Sequence, residues 1–128
     1  MSKSKIWIGI GCRRGIAKVT IQSAIAHVLN EYQLTDRAIV GIATVDRKFD
    51  EPGLVEYCQE RSLPLSCFSA NRLKFIAVPH PSTWVAQTIE TPSVAEAAAM
   101  CAAETETLKV PKQVIQGVTI AIAESSLS

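Results

Sequence analysis

Apolar side chains along this chain follow two rhythms, one of period two and one near 3.6. Residues 5–10 form a short β-branched run with a tryptophan, and Ile21, Ala24, Ile25, Val28, Leu29 and Tyr32 then recur at helical spacing. That order predicts a strand that turns into a helix. Residues 38–45 are almost continuously apolar, the pattern of a strand covered on both faces, and predict a central parallel strand. Pro52 suits the first turn of a second helix with Leu54, Val55 and Cys58 on its inner face, reaching at most to Leu63. Residues 63–68 read as a third strand with Pro64 at its entry, after which Ser69 can cap a brief helical segment carrying Leu73 and Phe75.

Further on, Pro79 and Pro81 make residues 78–83 a loop, and residues 84–89 alternate as a fourth strand with Trp84, Ala86 and Thr88 on one face. Another helix opens either at Ser93, which has the capping-box spacing to Glu96, or at Thr91 with Pro92. Its alanines, Ala97, Ala98, Ala99, Ala102 and Ala103, favour helix and permit close approach to a sheet. Residues 108–115 and 118–123, separated by Gln116-Gly117, fit a hairpin in which Pro111 must sit at an edge or bulge. Parallel βα units followed by a hairpin describe an α/β domain: a mixed sheet with helices on both faces. Residues 124–128 are expected to fray.

Length and composition narrow the picture. At 128 residues, the chain is expected to form one domain and to bury roughly two thirds of its unfolded surface. A net charge of +1, with dispersed basic residues, lacks the field that draws proteins onto nucleic acid. The apolar run after Lys5 is too short for a signal-peptide core, and no stretch is long enough to span a membrane, so a cytoplasmic location is expected. Cys12, Cys58, Cys67 and Cys101 show no CxxC spacing and no partnering histidine pair, which argues against a metal centre and against a disulfide framework.

The candidate chemistry centres on Gly9-Ile10-Gly11-Cys12-Arg13-Arg14-Gly15, where the first strand gives way to the first helix. Glycines admit tight turns or close approach, helix N-termini present unpaired N–H groups, and two arginines stand beside them; together these attract anions. A dinucleotide fingerprint needs glycine where Arg14 stands, and a P-loop needs Gly-Lys-Ser/Thr, so neither motif is present. The alternative is that the glycines only make the turn and the arginines are solvated. The acidic loop from Asp46 to Glu51, with Lys48 in it, follows a strand at the edge where open sheets bind ligands.

Taken in order, that glycine stretch, Asp46, Lys48, Glu51-Pro52-Gly53-Leu54, Ser93-Val94-Ala95-Glu96-Ala97-Ala98-Ala99, Pro111-Lys112 and Val118-Thr119-Ile120-Ala121-Ile122-Ala123 resemble the family of CobE and the C-terminal domain of CbiG, from cobalamin (vitamin B12) biosynthesis. The blocks extend over nearly the whole chain. One departure is Glu90-Thr91-Pro92, where the family tends to carry glycine before the Ser-Val-x-Glu-Ala helix. The resemblance implies a three-layer α/β/α sandwich that acts on or near a corrin-ring precursor, and no cofactor. Larger CbiG proteins open a lactone ring on a cobalt-precorrin and release acetaldehyde, using further regions upstream; in extent this chain is more similar to free-standing CobE.

A corrin precursor carries many carboxylates, so spaced donors are the expected binding set. Arg13 and Arg14 can grip carboxylates bidentately, aided by amides at Gly9, Gly11, Cys12 and Gly15, with Lys48, Ser93, Glu96 and Lys112 as further contacts. Three residues are candidates for catalysis: Cys12 as a thiol at a helix N-terminus, and Asp46 or Glu51 as a base for water. Packing for Cys12, and solvation or helix capping for the two acids, are the competing readings. His80 in the proline loop is a candidate donor, while His27 suits a surface or packing role. The competing functions are a precorrin-binding protein with hydrolase chemistry, a non-catalytic module docking on a separate CbiG-like N-terminal chain or other pathway proteins, and an enzyme for another polyanion.

Overall fold

Alternation along the first strand sets the layers. In the computed structural model, which describes residues 5–12, 15–46, 51–69, 72–73, 93–105 and 107–125, β1 (Ile6–Cys12) buries Ile6, Ile8, Ile10 and Cys12 in one core. Trp7, Gly9 and Gly11 alternate to the opposite face. The strand therefore runs on through Gly9 and Gly11, which the sequence pattern assigns to the turn. It does so because β1 is paired on both sides: parallel to β2 (Ile39–Val45), and antiparallel to β5 (Val118–Glu124) as far as Cys12 opposite Val118. Ladder pairing on two edges overrides the low strand preference of glycine.

The sheet has the order β3-β2-β1-β5-β4, with β3 (Leu65–Phe68) parallel to β2 and β4 (Val110–Ile115) antiparallel to β5. β1 is thus the centre, and β2, expected there, is interior with parallel neighbours on each side. The expected mixed sheet with a C-terminal hairpin is present. Gln116 and Gly117 both have positive φ, 53° and 82°, as the tight hairpin turn requires. The expected irregularity at Pro111 is also present, since the β4–β5 register shifts between Val110 and Gln113. Glu124, expected to fray, is instead paired with Ile6, and the Ser125 amide donates to the Lys5 carbonyl at 2.8 Å.

α1 (Lys18–Glu31) and α2 (Pro52–Glu60) cover the isoleucine face. Ile21, Ala24, Ile25, Val28 and Leu29 from α1 meet Leu54, Tyr57 and Cys58 from α2 in one core. Tyr57 is a buried aromatic that the apolar periodicity misses, because its ring packs inward while its phenolic hydroxyl marks it as amphipathic. Val55 is only half-buried, and Tyr32 caps the end of α1 with its side chain exposed. α3 (Ser93–Ala103) covers the other face, completing the α/β/α sandwich. An added Cβ on Gly9 would collide with the Ala95 carbonyl and crowd the Ala99 amide, so α3 lies directly on the central strand.

The three helices described above stop in the same way. Gln33, Ser62 and Glu104 adopt left-handed backbone with φ of 57°, 56° and 55°. The next amide in each case reaches back to the last turn: Leu34 to Leu29, Leu63 to Cys58, and Thr105 to Met100. Glycine, the usual signal for such a cap, is absent from all three positions. The predicted loop at residues 78–83, the predicted strand at residues 84–89, and Phe75 lie outside the described residues.

Candidate functional site

Because β1, β2 and β3 are parallel, their carboxyl ends share one rim, and the helices that follow β1 and β2 begin there. α3 begins there too. Its first turns, with Val94, Ala97 and Ala98, pack with Val45 and Leu73, while Ala99 and Ala103 reach Ala121 and Ala123. Three helix N-termini therefore open on the rim, each bringing partial positive charge.

The glycine stretch and the acidic loop meet at this rim. Gly15 has φ of +80°, the left-handed backbone that a side chain disfavours, and its amide donates to Glu51 Oε2 at 2.8 Å. Glu51 is only 5% exposed although it directly precedes α2. It is therefore neither a solvated loop charge nor a side-chain cap on its own helix; the carboxylate latches one turn to the next. Gly53 permits this approach, since a Cβ there would overlap the Ile16 carbonyl and crowd the Lys18 amide.

Gly11 differs from Gly9 on the same strand face. Among the described residues, an added Cβ on Gly11 would meet only Thr119 Cβ, at 3.8 Å. Its backbone is not among the left-handed ones, so neither conformation nor packing against the described residues accounts for glycine there. Gly11 itself is half-buried, and on the neighbouring strand Val45 is covered by Leu73 and Val94.

The other candidates sort by position. Asp46 is exposed at the end of β2. Cys12 is the last residue of β1 and 7% exposed, its side chain packed in the isoleucine core. Glu96 is fully buried on α3, and its Oε2 accepts from the Lys112 amide at 3.0 Å, on the stretch where the register of β4 shifts. Arg13, Arg14, Lys48, His80 and the Ser93 side chain lie outside the described residues. His27 is exposed on α1, with Glu31 at 3.7 Å. Among the described residues, no group of three or more His, Cys, Asp or Glu is placed to hold a metal ion. No described helix is long and apolar enough to cross a membrane.

The largest described thiol effect is away from the rim chemistry. Burial pushes the Cys58 thiol up to about 11 from an ordinary 9.0, with Cys67 nearby adding to the shift. The unfolded chain ionises this thiol first, so its contribution to stability is fully present below pH 9.0 and is lost as pH rises toward about 11. A Cys58→Val variant is expected to lose less stability over that interval in denaturant titrations; identical pH slopes would contradict the assignment.

A hollow of about 210 Å³ opens between α1 and α2, bordered by Leu29, Leu34 and Tyr57, at the end opposite the rim. Its charged groups already serve each other: Arg61 Nη1 lies 2.8 Å from Asp36 Oδ2, which holds that carboxyl below its usual range. The convergence of turn, acid and helix N-termini makes the rim the better site.

An open mixed sheet between helix layers, with the ends of its parallel strands and three helix N-termini on one rim, defines the class as an open-sheet α/β domain. The family model described as cobalamin synthesis G C-terminus matches residues 6–123, and the chain belongs to that family. It is 31% identical over 116 residues to a cobalt-precorrin-5A hydrolase from Priestia megaterium, covering 91% of this chain but 31% of the hydrolase. The crystal structure of CobE, a protein from the cobalamin biosynthetic pathway, is similar with a TM-score of 0.83 and 27% identity, over 96% of this chain and 92% of CobE. The cobalamin biosynthesis protein chiG from Agrobacterium tumefaciens is similar with a TM-score of 0.75 and 32% identity, over 94% of this chain and 98% of that one.

Proposed function

We propose that this domain binds a carboxylate-rich corrin precursor on the rim and takes part in opening the lactone of cobalt-precorrin-5A. The observation that carries the reading is half-buried Gly11, which among the described residues has only Thr119 close to its open side and lies beside the latched Gly15 turn. A flat macrocycle needs a face to lie on, and its peripheral carboxylates need donors around it. Helix N-termini and the guanidinium groups of Arg13 and Arg14 supply them.

Lactone opening requires water to attack the acyl carbon while the ring C–O bond breaks, with one proton leaving the water and one reaching the departing oxygen. Asp46 is the acid suited to take the first proton, because it is exposed at the rim while Glu51 is engaged by Gly15. A second reading is a module that works only when docked on a separate CbiG-like N-terminal chain. The chain spans 31% of the hydrolase it matches.

Spectral titration with cobyrinic acid, a corrin whose carboxylates are free, tests the binding reading. The wild-type chain is expected to bind, and Gly11→Val to fold normally but bind at least about tenfold more weakly. Equal affinity would remove the rim as the site. Turnover of cobalt-precorrin-5A by the chain alone would favour the hydrolase; turnover only after adding the upstream chain would favour the module.

A further inference from the structure

Most described cations that make an ion pair are on the helices or the hairpin: Lys18 with Glu60, Arg61 with Asp36 and Lys109 with Glu124. Arg72 is different. It follows the end of β3 on the same rim, is exposed, and forms no ion pair with any described carboxylate, Asp46 on the neighbouring strand included. Its guanidinium carbon lies 5.3 Å from the centroid of the Phe68 ring.

The residue is held at three points. Its amide donates to Ser69 Oγ at 3.1 Å, as expected for a capped turn. Leu73, next to it, is fully buried with Val45, Val94 and Ala97, which ties the turn to β2 and α3. Stacking on Phe68 occupies the face of the guanidinium and leaves its in-plane N–H donors available, the fork that matches a carboxylate. A solvated surface arginine would need none of these restraints.

We propose that Arg72 grips a peripheral carboxylate of the ligand on the β3 side of the rim. This inference rests on the corrin-binding reading and extends it to the ligand's dimensions. The ends of β1 and β3 are two strand spacings apart, about 10 Å. An anion at the Gly15 turn and a carboxylate on Arg72 are therefore too far apart for a small dicarboxylate to join, and the ligand class is a wide, rigid polycarboxylate.

The experiment compares wild type, Arg72→Ala, Arg72→Gln and Arg72→Lys in spectral titrations with two corrins. One is cobyrinic acid; the other is cobinamide, in which the same side chains are amides. Arg72→Ala and Arg72→Gln are expected to weaken cobyrinic acid binding about tenfold or more and to leave cobinamide binding unchanged, with Arg72→Lys recovering only part of the loss. Using two neutral replacements guards against one variant failing to fold. If wild type binds cobyrinic acid and both variants bind it equally well, the role of Arg72 is overturned while the corrin reading stands. If wild type does not bind cobyrinic acid, both fall.

Discussion

Replacing Gly9 with alanine is expected to destabilise the domain by about 3 kcal/mol, the upper end for an overfilled core. The new methyl has no direction in which to relax, because the Ala95 carbonyl that it meets is backbone inside α3, and the opposite face of β1 is packed with isoleucines. To accommodate it, the helix must lift from the sheet, which exposes Ala98, Ala99 and Met100 that are now buried. Gly11→Ala, two residues along the same face, is expected to change stability by less than about 0.5 kcal/mol. Urea unfolding of the two variants gives the comparison; equal midpoints would mean that α3 does not lie as closely on β1 as described.

Removing the Glu51 carboxylate is expected to cost about 1–3 kcal/mol, the range for leaving a hydrogen-bonding group without its partner. Glu51→Ala deprives the Gly15 amide of its acceptor at a turn already held in left-handed backbone. Glu51→Gln keeps an acceptor oxygen and is expected to restore most of the loss. Amide exchange at Gly15 separates a local role from a general one: it should quicken about tenfold or more in Glu51→Ala while core amides of β1 keep their protection. Unchanged exchange at Gly15 would show that the latch does not hold the turn. Since the same turn carries the anion site in the functional reading, corrin affinity should fall in Glu51→Ala and recover in Glu51→Gln.

How far the sequence could be read follows from the range of each interaction. Strands β1, β2, β4 and β5 and helices α1, α2 and α3 are visible as apolar periodicities because burial acts on each segment by itself. The same logic misplaces Tyr32 and Val55: periodicity gives a face but not where the helix stops or how wide the buried stripe is. The helix ends are obscure because Gln33, Ser62 and Glu104 take a conformation that glycine normally advertises. Arg72 escaped notice because a lone arginine after a short strand has no pattern; its meaning comes from Phe68 beneath it and from its lack of an acidic partner among the described residues.

By itself the sequence determined the layers. Isoleucines alternating with glycines in β1, and a helix built from alanine, require one thick and one thin interface, whatever the detailed register. Only the tertiary structure decided which glycine lies against a described helix and which does not, and which acid is a latch and which is exposed. Gly9 and Gly11 are the same residue on the same strand face, and what separates them among the described residues is that α3 lies against Gly9 alone. Glu51 and Asp46 flank the same loop, and what separates them is a hydrogen bond to Gly15, 36 residues away in the chain. Such distinctions depend on how elements dock across the sheet, a relation that no local pattern of side chains contains.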